Sequence, residues 1–85
     1  MARLNRRQRR ATRRETRELL YDVVEDFKDE GRELDKDAVK KEVLDRRERS
    51  QALFDGLDPE VKNKLRDLFL KLLDMFIDRL FSQLG

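Results

Sequence analysis

Apolar residues recur three and four positions apart along this chain, and no segment alternates apolar and polar positions over the length of a strand. That spacing predicts helix throughout, with Gly and Pro as the punctuation. Leu20, Val23, Val24 and Phe27 stand at i, i+3, i+4 and i+7 and mark one face of a first helix over about 5–30. Gly31 is suited to end it in a left-handed conformation. A second helix is expected over 36–54, with Asp35 as N-cap and Leu34 and Val39 in the two positions of a hydrophobic staple. Its apolar face is thin. Val39, Val43 and Leu44 give way to a polar run from Asp45 to Gln51 before Ala52, Leu53 and Phe54 resume it, and Gly56 closes it.

The third helix has the clearest start: Asp58 caps, Pro59 takes a position where no amide is needed, and Glu60 complements the helix dipole. It should continue to about residue 84. The fold class is therefore all-α, three helices separated by breaks near Gly31 and Gly56, as a helix bundle or an extended helical hairpin completed by oligomerisation. Large apolar side chains cover about 240° of the third helix at 100° per residue, where a surface helix needs a stripe only somewhat wider than about 100°. Two charged companions cannot cover that much. The surplus predicts an interface with further copies of the chain, or with another protein, formed by Leu65, Leu68, Phe69, Leu72, Leu73, Phe76, Ile77, Leu80, Phe81 and Leu84. A membrane surface is a poorer match, because the polar stripe carries Asp67, Asp74 and Asp78, which anionic lipid repels.

Composition sharpens the expectation of assembly. Eighty-five residues make a single domain, and the chain has neither Cys nor His. A domain of this size buries roughly 60–65% of its unfolded surface and usually needs a staple. Disulfide, haem and zinc are excluded by the missing residue types, which leaves a homo-oligomer or a larger partner. Charged residues are 47% of the chain, well above the usual quarter.

The net charge of +2 conceals a division. Residues 1–17 hold eight Arg and one Glu, and form a basic arm; residues 18–85 form a mildly acidic helical assembly domain. Arg3, Arg6, Arg7, Arg10, Arg13, Arg14 and Arg17 fall within an arc of about 120°, with Arg9 outside it, as a ridge roughly 21 Å long if helical. Seven guanidinium groups on one face repel one another until phosphates neutralise them, and each planar fork can grip phosphate oxygens in pairs. Nucleic acid is therefore the expected ligand. The arm contains no aromatic residue for stacking on unpaired bases, so it should hold the backbone with little reading of sequence. An acidic protein, or the acidic segment 18–37 of a neighbouring subunit, is the competing ligand. Arg46, Arg47 and Arg49, interleaved with acids, read as a solvated helix face, and Tyr21 as packing.

Nothing in the sequence supports an enzyme. No His is present to act as a general base or to activate Ser50 or Ser82, and the chain has no Gly-rich phosphate loop. The acids around Asp26 to Asp37 lack calcium-loop spacing, and Asp74 and Asp78 read as a solvated stripe rather than a metal site. No cofactor is expected. The lack of an apolar stretch after the first basic residues argues against secretion, so a cytoplasmic or intravirion location is expected. The reading from sequence is a structural, self-assembling protein that binds nucleic acid non-specifically, as a nucleoprotein, capsid-lining or packaging component. The alternative is a non-enzymatic adaptor or regulator that docks through its C-terminal amphipathic helix.

Overall fold

Each helix begins and ends where a side chain or a glycine satisfies its free backbone groups. In the computed structural model, which describes residues 3–50, 56 and 58–84, α1 spans Arg6–Asp29. Asn5 Oδ1 accepts the Gln8 amide at 2.8 Å, and Gln8 Oε1 accepts the Asn5 amide at 2.9 Å. This reciprocal capping box fixes the start of the helix. At the other end Gly31 adopts φ 68°. The Arg32 amide then donates to the Phe27 carbonyl at 2.8 Å and the Gly31 amide to the Lys28 carbonyl at 3.1 Å. That pair of bonds is a Schellman motif, closed by the Arg32 guanidinium 3.8 Å above the Phe27 ring.

Helix α2 spans Lys36–Arg49. Asp35 accepts the Ala38 amide at 3.3 Å, and the staple residues Leu34 and Val39 both pack into the core. The expected continuation to Phe54 lies outside the described residues. Helix α3 spans Pro59–Leu84. Asp58 caps it through its side chain to the Glu60 amide at 2.8 Å and through its carbonyl to the Lys62 amide at 3.0 Å.

The three helices form an up-down-up bundle. Lys36 meets Asp78 and Lys40 meets Asp74, so α2 runs antiparallel to α3. Arg9 lies alongside Lys71, Arg17 over Phe76 and Leu20 beside Leu80, so α1 and α3 run parallel. The shared core comprises Leu20, Val23, Val24 and Phe27 of α1, Val39 and Val43 of α2, and Phe69, Leu73 and Ile77 of α3.

Polar side chains complete this core in α1 and α2. α1 continues through residue 17 without a break, and its first half buries Thr12 and Thr16. Their hydroxyls donate to the Gln8 and Thr12 carbonyls at 2.8 and 2.6 Å, which lets their methyl groups pack without leaving a polar atom unsatisfied. Arg47, read from sequence as solvated, is only 6% exposed, with its guanidinium 4.7 Å from the Phe69 ring. It follows Val39 and Val43 at four-residue steps and prolongs their stripe with a charged tip on an apolar stem.

These polar residues supply cover that a count of apolar residues omits. Of the ten α3 residues expected at an interface, Leu65, Phe69, Leu72, Leu73 and Ile77 are buried within the single chain. Leu68, Phe76, Leu80 and Phe81 are half-buried, and the Leu84 side chain lies outside the described residues. Among the described residues, the large hydrophobic side chains left exposed are Tyr21 at 57% and Met75 at 41%. The single subunit thus encloses most of the face that the sequence suggested would need a partner.

Candidate nucleic-acid interface

Packing sorts most charges of α1 onto two flanks. Its acidic flank, Glu15, Glu18 and Asp22, lies with Leu19 beside Ser50 at the end of α2, and Ala11 and Arg14 border it. Part of its arginine flank meets α3. Arg3 and Arg9 share a groove with Lys64, Asp67, Leu68 and Lys71, and Arg17 and Tyr21 share a second depression with Phe76, Arg79 and Gln83. Arg6, Arg7, Arg10 and Arg14 line a depression of their own around Ala11, formed by α1 alone.

α3 is sorted in the same sense. Its Asp74 and Asp78 face α2, where Lys40 and Lys36 approach to 2.7 and 3.4 Å. Of its five basic residues, Lys64, Lys71 and Arg79 lie on the edge beside the α1 arginines, whereas Arg66 lies near Arg47. Folding therefore gathers cations from two helices on one side of the molecule, with Asp67 as the acid lining either groove between them.

The seven sequence-predicted arginines, Arg3, Arg6, Arg7, Arg10, Arg13, Arg14 and Arg17, are all exposed. Among the described residues none of them forms an ion pair, and Arg17 alone has a ring contact, 5.7 Å from the Phe76 centroid. The first turn of α1 holds no acid, and the helix concentrates cations at its positive dipole end. Both the mutual repulsion and the dipole oppose this placement, so the helix gains nothing from it until an anion arrives. Backbone amides at a helix start and guanidinium groups around it attract the same kind of ligand.

The α2 side behaves differently. Arg46 bridges Asp26 at 2.7 Å and Glu42 at 3.1 Å, and the hydrogen bonds to these two carboxylates raise its pKa above the ordinary guanidinium value. Burial lowers the pKa of Arg47, against the opposing attraction of Glu15. Burial likewise raises Glu15 above the ordinary carboxylate range, and the Arg47 charge only partly offsets it. These groups hold helices together; they are not free for a ligand.

Reading the sequence alone missed four members of the basic side: Arg9, Lys64, Lys71 and Arg79. It also took Tyr21 as packing, whereas that ring stands in solvent beside Arg17. The signal for Tyr21 was present, since it lies four residues after Arg17 and falls within the arginine arc. Lys64, Lys71 and Arg79 recur at seven and eight residues along one edge of α3, but which neighbour that edge meets depends on how the helices pack. Among the described residues, no group of acids could hold a metal ion and no helix is long and apolar enough to cross a membrane. No protein-family model, curated protein or solved structure matches the chain.

Proposed function

We propose that this chain is a non-enzymatic structural protein that binds the phosphate backbone of nucleic acid through the arginine side of α1. The observation that carries the reading is the row of exposed arginines without ion-pair partners, set beside the basic edge of a second helix. Guanidinium groups in that number, on a rigid helix, grip phosphate oxygens without reference to sequence. Self-association belongs to the same proposal in altered form. With most of the α3 face enclosed, copies gather on a shared strand, where many weak contacts act together, rather than through a large apolar interface.

Deleting residues 1–17 is a poor test, because it removes Thr12 and Thr16 from the core. The test is the triple variant Arg6→Gln, Arg10→Gln, Arg14→Gln, titrated against a labelled oligonucleotide of arbitrary sequence. Loss of three phosphate contacts should reduce the steepness of log K against log salt by about 2.7 on duplex and weaken binding about a hundredfold or more near 0.1 M salt. Unchanged affinity would refute the assignment.

A further inference from the structure

We infer that the ligand is single-stranded, and that it lies along the groove between the parallel helices α1 and α3 with an unpaired base stacked on Tyr21. This rests on the nucleic-acid reading above and narrows it to one substrate class.

Three observations lead to it. First, cations of both helices line two depressions along the seam between them: Arg3, Arg9, Lys64 and Lys71 at one, Arg17 and Arg79 at the other. The two are spread along α3 from Lys64 to Gln83, about 28 Å at 1.5 Å per residue, the span of several nucleotides. Second, the walls of that seam are not uniformly polar. Leu68 and Phe76 are half-buried in it, and Tyr21 stands exposed. A duplex hides its bases and shows phosphate, so it has little use for this apolar surface. A single strand presents both phosphates and base faces, and a basic track with an aromatic platform matches that combination. Third, a neutral hydrogen-bonding side chain lies beside the aromatic ring. Gln83, in the same depression as Tyr21, offers both a donor and an acceptor within reach of a base edge.

The chain contains one Tyr and no Trp, so tyrosine emission reports this side chain alone. The experiment titrates the full chain with a twelve-nucleotide thymidine oligomer and with a twelve-base-pair duplex, following anisotropy of the labelled nucleic acid and tyrosine emission together. The single strand should quench the emission in step with binding, while the duplex, held by the outer arginines, should leave it unchanged. Tyr21→Ala should weaken single-strand binding about fivefold or more and duplex binding less than twofold, with Tyr21→Phe close to the unaltered chain. Because Tyr21 is exposed, helical content should be unaffected. Lys71→Gln with Arg79→Gln should reduce the salt slope on the single strand by about 1.4. Binding of the single strand with unquenched emission, or equal losses on both ligands in Tyr21→Ala, overturns the groove while leaving the backbone reading intact. Failure of the unaltered chain to bind either ligand overturns both.

Discussion

The arginines in the first half of α1 and five of the six cations of α2 are similar in kind and opposite in placement. In α2, Lys36, Lys40, Arg46 and Arg49 each meet a carboxylate of α1, α2 or α3 within 3.4 Å, and Arg47 is folded into the core over Phe69. In the first half of α1, the arginines stand in solvent at the wrong end of the helix dipole and beside further cations of α3. The first set works for the fold. The second set works against it, and the proposed function gives that placement a use: an anionic ligand would relieve the repulsion. Charge density alone does not separate the two sets; partner geometry does.

The comparison breaks most easily at Arg47. Replacing it with Ala strips its stem from Phe69 and removes the charge that attracts half-buried Glu15. The expected loss is about 2–4 kcal/mol in a denaturant titration. Arg47→Met, which keeps the stem and removes the charge, should cost less than about 1.5 kcal/mol. Nucleic-acid affinity should be unchanged in Arg47→Met. A solvated Arg47 would instead make both variants neutral in stability.

The triple variant Arg6→Gln, Arg10→Gln, Arg14→Gln should do the reverse. It loses binding, yet unfolds at an unchanged or higher denaturant midpoint, with a gain of up to about 1 kcal/mol from relief of the dipole conflict and of like-charge repulsion. A clear loss of stability would mean that these arginines serve the fold after all, and the contrast with α2 would collapse.

The smallest effect concerns pH. The Glu15 carboxyl has a folded-state pKa raised by burial. The folded state therefore holds this proton after the unfolded chain has released it. Stability contributed at this site is present below the ordinary carboxylate range and declines as pH rises through the raised value. Glu15→Gln should remove that declining component from the pH profile of the melting temperature, and an identical profile would place Glu15 in solvent.

Much of this was legible from the residues. The Gly31 terminator, the Asp35 and Asp58 caps and the Leu20–Phe27 face are local patterns whose chemistry is complete within a few residues, and each has the structure its spacing predicts. The cover over α3 was not legible in the same way. Thr12 and Thr16 can be buried because their hydroxyls bond backward along the helix, and Arg47 because its tip finds an aromatic ring and a nearby carboxylate. Those are properties of pairs brought together by folding, invisible to a count of apolar residues. The same holds for the site. The arginine arc follows from residue spacing on one helix. Its junction with Lys64, Lys71 and Arg79 depends on the rotation of two parallel helices about their axes, which no single-helix pattern fixes.

The central claim is that α1 holds its arginines free of internal partners so that phosphates can take their place. The most direct measurement is the affinity of the unaltered chain for an oligonucleotide of arbitrary sequence across salt concentrations from about 0.05 to 0.2 M. The account predicts a linear fall of log K with log salt and a slope of about −3 or steeper, the release of counterions from four or more phosphates. A slope near zero, or no binding at the lowest salt, would contradict it.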